Sequence, residues 1–122
     1  MNRRRAEKGG RRAEAIAAWW LRLKGYAILA RRVRTPVGEV DLVVRRGRTL
    51  AFVEVKARSS ADGAATALDD YRLRRVAAAA EALLPRFARA GDDIRIDALF
   101  VIPFRLPRHL ANVWHGRSAG RP

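Results

Sequence analysis

Apolar residues recur every three or four positions near the N-terminus and form one stripe: Ala13, Ile16, Ala17, Trp20 and Leu21. This spacing predicts an amphipathic helix over residues 10–24. Gly25 follows at a position where helices commonly end in a left-handed residue. Residues 1–8 are polar and basic, and we expect them to form a flexible N-terminus.

The next segments change from helical to strand periodicity. Residues 26–33 are a candidate first strand, and residues 39–45 and 49–57 alternate apolar and polar positions as half-buried strands do. Turn-forming residues separate them, at 35–38 and 46–48. The second and third strands therefore read as an antiparallel hairpin.

The second half of the chain begins with an alanine-rich helix over residues 68–84, which Pro85 should kink or end. A fourth strand is predicted over residues 94–102, and a short last strand over 110–114. The order α-β-β-β-α-β-(β) predicts an α/β fold in which helices pack on a mixed sheet.

The chain has no internal repeat and no linker, so we expect a single domain over residues 9–116 and a flexible tail over 117–122. Cysteine is absent, which excludes disulfides, thiolate zinc sites and cysteine nucleophiles. No apolar run approaches the ~20 residues of a membrane span. The basic residues Arg3, Arg4 and Arg5 are not followed by an apolar segment, so we expect no signal peptide and a cytoplasmic protein.

The charge balance indicates a polyanionic partner. Lys and Arg number 26 against 12 Asp and Glu, which gives a formal net charge of +14 over 122 residues. A GC-rich genome would explain the preference for Arg over Lys, but it does not explain the excess of basic residues. Nucleic acid is the expected partner, DNA before RNA.

Three charged residues interrupt the apolar hairpin: Asp41, Glu54 and Lys56. A charge inside a strand must be compensated or functional, because desolvating it unpaired is costly. If Arg45 pairs with Arg48, Asp41 lies diagonally from Glu54, and if it pairs with Leu50 the two acids face each other. Both registers place the carboxylates on one face within ~5–8 Å. A loop with an odd residue count would separate them.

Two carboxylates at that distance repel each other unless a cation lies between them. Mg²⁺ (or Mn²⁺) suits such a gap because it prefers oxygen ligands and keeps several waters. Lys56 would orient the attacking water or stabilise charge that develops on phosphorus. The alternative for Glu54 and Lys56 is a simple ion pair on an exposed strand face.

The motifs Gly-Glu-Val-Asp-Leu at 38–42 and Phe-Val-Glu-Val-Lys-Ala-Arg at 52–58 resemble the YraN-like family of small uncharacterised bacterial proteins. The similarity runs from about residue 10 to residue 100 and includes Arg-Ile-Asp at 95–97. This family is related to Holliday-junction resolvases and to the PD-(D/E)xK nucleases. The resemblance implies a restriction-endonuclease-like fold.

The resemblance also implies roles for individual residues. Asp41 and Glu54 match the metal ligands, Lys56 matches the catalytic lysine, and the carbonyl of Val55 matches a further metal ligand. Glu14 matches an acid of the first helix that assists the metal site; its alternative is a carboxylate in the N-terminal turn that offsets the helix dipole. Glu39 is a candidate acid behind the metal ligands.

Six arginines are candidates for contacting the phosphates of nucleic acid: Arg11, Arg12, Arg58, Arg72, Arg74 and Arg75. The last three follow Tyr71, where many relatives carry a lysine, and their alternative is a solvated helix face. His109 and His115 are too few for a zinc site without cysteine, and we expect both to be exposed.

These features predict a Mg²⁺-dependent endonuclease that hydrolyses DNA phosphodiester bonds at branched structures or elsewhere. The alternative is a non-catalytic DNA- or RNA-binding protein that retains a nuclease-like fold. Cutting of a junction would require a symmetric homodimer, which the sequence leaves open.

Overall fold

A five-stranded sheet in the chain order β1-β2-β3-β4-β5 forms the centre of the protein. The structure is a computed structural model that describes residues 3–59 and 70–114, with side chains from residue 10 onward. Its elements are α1 (Arg3–Leu23), β1 (Ala27–Thr35), β2 (Gly38–Arg46), β3 (Thr49–Ala57), α2 (Asp70–Phe87), β4 (Asp93–Val101) and β5 (Arg108–Leu110). The predicted α/β fold with a mixed sheet is confirmed.

The sheet is mixed because one of its four pairings is parallel. β1, β2 and β3 form an antiparallel meander, and β4 pairs antiparallel with β5. β3 and β4 run parallel, from Thr49 opposite Asp93 to Ala57 opposite Val101. A parallel pair needs a crossover connection, which α2 provides.

The two helices cover opposite faces of the sheet. On the α1 side, Ala17, Ala18 and Leu21 pack in one cluster with residues of the sheet: Leu42, Val44, Ala51, Val53 and Leu99. On the α2 side, a second cluster joins Leu73, Val76, Ala79, Ala80 and Leu83 to Val43, Leu50, Phe52 and Ile96. Because successive side chains of a strand point to opposite faces, the central strands provide apolar side chains to both helices. The sheet is therefore buried on both sides.

Several boundaries differ from the expected ones. α1 begins at Arg3 because the strong helix formers around residues 9–10 outweigh the cost of two glycines. α2 continues through Pro85 to Phe87, since a proline in the last turn removes only one backbone hydrogen bond. β5 lies at 108–110 instead of 110–114. The predicted start of α2 at residue 68 and the tail at 117–122 lie outside the described residues.

No helix within residues 3–59 and 70–114 is long and apolar enough to cross a membrane.

Gly38 lets α2 approach the first residue of β2 closely. A Cβ atom built on Gly38 would lie 2.6 Å from the backbone oxygen of Arg75 and 3.5 Å from the Cβ of Ala79. The first of these distances is shorter than van der Waals contact, and the backbone of a packed helix has little room to move. This contact fixes the helix against the strand that carries Glu39 and Asp41.

Substitution of Gly38 therefore tests the closeness of this packing. We expect Gly38→Ala to lower the free energy of unfolding by about 1–3 kcal/mol, as overpacking does. Gly10→Ala is the matched control, because its Cβ would meet nothing within 4 Å. Alanine at this helical position should stabilise by about 0.5–1 kcal/mol. Chemical denaturation of both variants measures the difference, and equal stabilities would contradict the assigned contact.

Candidate active site

The strands β2 and β3 separate at Asp41. Their hairpin adopts the register in which Arg45 pairs with Leu50, the second of the two that the sequence allowed, and this register directs Asp41 toward Glu54. Regular pairing with β3 ends at Leu42, while β2 continues beyond it in register with β1. The sheet therefore opens a fork whose first residue on the β2 side is Asp41.

The carboxylate of Asp41 bridges this fork. Its Oδ2 accepts a hydrogen bond of 2.8 Å from the backbone nitrogen of Val55. Val40 and Val43 both pack on the α2 side, whereas Leu42 packs on the α1 side, so the strict alternation of the strand is broken around Asp41. A side-chain oxygen thus satisfies a backbone donor at the point where strand pairing stops.

Glu54 and Lys56 form a buried ion pair. Lys56 Nζ lies 3.1 Å from Glu54 Oε2, and the side chains are 2% and 11% exposed. The guanidinium of Arg72 approaches the same oxygen at 3.9 Å. The other oxygen, Oε1 of Glu54, is buried and has no hydrogen-bond partner among the described residues. The alternative of an ion pair on an exposed strand face is therefore wrong, because both charges are removed from solvent.

Burial and neighbouring acids act together on Asp41. The pKa of Asp41 is raised to about 6, first by removal from solvent and then by repulsion from the carboxylates of Glu14, Glu54 and Glu39. The hydrogen bond from the Val55 backbone opposes this rise. Three acids from α1, β2 and β3 are therefore close enough to act on Asp41, and an added cation would relieve the cost of ionising it.

Glu14 reaches this group of acids from the middle of α1. Its Oε1 accepts a hydrogen bond of 2.6 Å from Arg32 Nε, and its side chain is 13% exposed. Because α1 begins at Arg3, Glu14 does not lie in the first turn, and the helix-dipole alternative is wrong. Its role beside a metal stays a prediction.

A cavity of about 370 Å³ opens next to the fork on the α2 side, lined by Glu39, Glu54, Tyr71, Arg72, Arg75 and Val76. Two of the predicted phosphate-contacting arginines thus lie beside a predicted metal ligand. Glu39 is half-exposed and forms an ion pair of 3.3 Å with Arg34. The cavity therefore combines carboxylates and guanidinium groups at one opening.

The remaining predicted arginines do not join this cavity. Arg12 and Arg58 line a separate groove on the α1 side, together with Arg105, which sequence analysis missed. Arg11 and Arg74 are exposed and line neither opening. Of the six arginines, two therefore line the cavity beside Glu54, two line the groove on the α1 side, and two are solvated.

The donors at the fork fit a hard divalent cation. Within the described part of the chain, no three acidic or histidine side chains converge as a metal-binding group. Mg²⁺ does not require three, because it is commonly bound by one or two carboxylates, waters and substrate phosphates. Asp41 uses one oxygen for Val55, and Glu54 has one buried oxygen without a partner. Two carboxylate oxygens therefore remain for a cation.

A second buried acid, Asp97, lies on β4 and was given no role by sequence analysis. It is fully buried and accepts hydrogen bonds from Arg95 at 2.8 Å, from the backbone of Asn112 at 2.9 Å and from His109 Nε2 at 2.8 Å. Lys24 Nζ donates to the other ring nitrogen of His109 at 2.6 Å. This network ties the end of α1 to β4 and β5.

The expectation that His109 is exposed was wrong, since its side chain is 4% exposed. His115 lies outside the described residues. Burial alone would raise the pKa of Asp97, but its hydrogen bonds from His109 and Arg95 lower it below the ordinary value. A signal was present in the sequence, because Asp97 interrupts an apolar strand in the same way as Asp41 and Glu54.

Comparisons with known proteins identify the family of this chain and a structure of similar fold. The model of the uncharacterised protein family UPF0102 matches residues 13–101. A UPF0102 protein of Rhizorhabdus wittichii is 64% identical over 118 residues, which cover 96% of this chain and 100% of that protein. One from Sphingopyxis alaskensis is 65% identical over 114 residues, which cover 93% of this chain and 98% of that protein.

The fold is also similar to that of Hjc, a Holliday junction resolvase from the archaeal hyperthermophile Archaeoglobus fulgidus. The TM-score is 0.54 and the sequence identity 22%, and the match covers 81% of this chain and 72% of that one. At this identity the likeness establishes a shared fold. The predicted relation to the resolvase fold is therefore confirmed.

The raised pKa of Asp41 predicts a specific pH dependence of stability. Because its folded value of about 6 lies above the ordinary 3.8, the folded state holds this proton more tightly than the unfolded state. The resulting stabilisation is present below pH 4 and is lost as the pH rises through 6. Asp41→Asn lacks this contribution but keeps a side-chain oxygen for Val55.

We therefore expect the free energy of unfolding of the parent, relative to Asp41→Asn, to fall by about 2–3 kcal/mol between about pH 4 and about pH 7. Denaturation curves without divalent metal measure this difference, and the other acids cancel because both proteins contain them. Parallel pH profiles would show that Asp41 is not desolvated.

Proposed function

The chain belongs to the uncharacterised protein family UPF0102, and we propose that it is a metal-dependent endonuclease that hydrolyses phosphodiester bonds of DNA. One observation carries this proposal. A strand fork brings Asp41 toward Glu54 beside a buried lysine, and each acid retains an oxygen for a cation. Paired carboxylates with an adjacent lysine are a donor set suited to phosphodiester hydrolysis.

The fold supports the proposal but does not carry it, because one fold hosts many functions. The fold that this chain shares with Hjc belongs, in that protein, to a Holliday junction resolvase. Branched DNA is accordingly the first substrate to test. Cutting both strands of a junction would need a second copy of this chain.

Asp41, Glu54 and the backbone carbonyl of Val55 would hold Mg²⁺ or Mn²⁺. A bound ion of this kind neutralises phosphate charge and lowers the pKa of water at the site. Asp41 is held in place by the Val55 nitrogen, and Glu54 by its ion pair with Lys56. The two side chains are therefore preorganised, so little ordering is required when substrate arrives.

Lys56 has two consequences for the reaction. Its ammonium group fixes Glu54 Oε2 and leaves Oε1 for the cation. It also places a positive charge beside the carboxylates, where negative charge develops on the phosphate oxygens. In a site removed from solvent, this charge stabilises the transition state more than it would in water.

The arginines supply the attraction for the substrate. Arg72 and Arg75 lie at the mouth of the cavity that contains Glu54, and the chain as a whole carries a net charge of +14. Contacts of arginine with phosphate set affinity and salt dependence without selecting a base sequence. The expected enzyme thus recognises the shape of DNA and its backbone, with RNA as the second polyanion to compare.

A second candidate function is nucleic-acid binding without cleavage. The observation that favours it is the charge compensation of Glu54, which Lys56 and Arg72 already provide without a metal. In that case the acids would be structural, and the cationic surface alone would hold the nucleic acid. Cleavage and binding assays on the same variant distinguish the two functions.

The variant Glu54→Gln removes the negative charge and keeps the shape. We expect Mg²⁺-dependent cleavage of DNA to fall by at least about 100-fold, because the variant loses one of two acids for the cation. Affinity for DNA measured with chelator should stay equal or increase, since a charge that repels phosphate is removed. A gel assay with labelled branched DNA and anisotropy titration provide the two measurements.

Glu81→Gln is the matched control, because Glu81 is an exposed acid on α2 outside the cavity. It should change neither rate nor affinity. A thermal melt of Glu54→Gln separates a loss of chemistry from a loss of fold. If the folded Glu54→Gln protein cleaves as fast as the parent, the assigned site is wrong.

A further inference from the structure

We propose that the groove on the α1 side of the sheet binds an unpaired nucleotide of the substrate, next to the cleavage site. The substrate class is therefore DNA in which a duplex adjoins a single-stranded segment, such as a branch or a flap. This inference rests on the proposed function and names the substrate of the same site. The groove itself is a second, separate part of the surface.

The groove has a volume of about 610 Å³ and lies at the ends of β3 and β4 beside α1, lined by Arg12, Ala13, Ile16, Ala57, Arg58, Ser59, Val101, Ile102, Pro103, Phe104 and Arg105. A volume of this size is in the range of sites for small organic ligands. A nucleotide is an occupant of suitable size.

The charges of the groove select an anion. Three arginines line it: Arg12 on α1, Arg58 directly after β3, and Arg105 in the loop between β4 and β5. Among the described residues of its lining there is no aspartate or glutamate. The groove therefore differs from the cavity at Glu54, where acids and arginines are mixed. A phosphate group next to these arginines would meet attraction without repulsion.

Much of the lining is apolar, with Ala13 and Ile16 contributed by α1, and Val101 and Ile102 by the end of β4 and the residue after it. A phosphate does not need such a lining, whereas a base does, because its faces are flat and poorly hydrated. Sites for single-stranded nucleic acid combine a basic path for the backbone with apolar or aromatic surfaces for the bases. This groove contains both components.

Phe104 supplies an aromatic ring at the rim. It is 105% exposed, so it makes no contribution to the core. Its backbone also has a φ of +62°, a conformation that is strained for a bulky residue. Strained residues with no packing role are concentrated at binding sites, where they present a side chain to a ligand. The ring of Phe104 would stack on a base of the substrate.

The groove and the cleavage site share β3. Lys56 and Ala57 are consecutive, and strand alternation turns Lys56 toward the α2 side and Ala57 toward the groove. On α1, Ala13 lines the groove and the next residue, Glu14, acts on Asp41. A nucleic-acid strand that leaves the fork over the end of β3 would therefore pass directly to the groove. This continuity favours nucleic acid over an acidic peptide as the occupant.

The test compares a blunt DNA hairpin with the same hairpin carrying a single-stranded oligothymidylate tail, in chelator so that no cleavage occurs. Phe104→Ala should weaken binding of the tailed hairpin by about five- to 100-fold, the value of one stacked base. Binding of the blunt hairpin should not change. Phe104→Trp should retain or strengthen tail binding, because it keeps an aromatic face.

Two controls separate stacking from charge and from folding. A tail of abasic sites keeps the phosphates but removes the bases, and Phe104→Ala should not affect its binding. Trp19→Ala removes an exposed aromatic ring outside the groove and should leave both hairpins unaffected. A tail of RNA in place of DNA shows which sugar the groove accepts. Thermal melts should be equal for the parent and Phe104→Ala, since the ring is exposed.

The proposal is overturned if the parent binds blunt and tailed hairpins equally, or if Phe104→Ala weakens both to the same extent. It is also overturned if an acidic peptide displaces the tail as readily as free oligothymidylate. Cleavage of DNA without any preference for a tail would overturn this inference alone. Absence of both binding and cleavage in the parent would overturn the proposed function as well.

Discussion

The hydrogen bond from the Val55 nitrogen to the Asp41 carboxylate is the interaction on which the rest of the site depends. It replaces regular pairing where β2 leaves β3, and so it holds open a fork that β-strands would otherwise close. The fork turns Asp41 toward Glu54 and leaves room at the end of the sheet. The packing of α2 at Gly38 fixes the β2 side of this opening, and the unbroken parallel pairing with β4 fixes the β3 side.

Asp41 and Asp97 are both carboxylates within strands of the sheet, and their partners distinguish them. Asp97 is saturated with donors from β4, β5 and the loop after it, and its pKa lies below the ordinary value. Asp41 has one backbone donor and acidic neighbours, and its pKa is raised to about 6. A carboxylate whose oxygens are all hydrogen-bonded to donors stabilises a fold. A carboxylate that lies at an opening and lacks a compensating positive charge is suited to binding a cation.

Sequence alone was sufficient to predict the fold. It also singled out Asp41 and Glu54, because a charged residue within an apolar strand is unusual, and their role as metal ligands stays a prediction. It left the hairpin register open, since turn composition does not choose between two loops of even length. Strict alternation could not predict that Val40 and Val43 face the same side, because this break coincides with a long-range contact of Asp41 with Val55. Asp97 also interrupts an apolar strand, which indicates that it has a partner inside the protein. The sequence around Asp97 does not show that His109 is this partner.

We propose that the acids at this fork cut nucleic acid with the help of a divalent cation. The most direct measurement incubates the unaltered protein with labelled branched, duplex and single-stranded DNA, with Mg²⁺, with Mn²⁺ and with chelator. We expect cleavage that requires metal and is fastest on branched DNA. Tight, salt-sensitive binding without cutting of any substrate in either metal would contradict it.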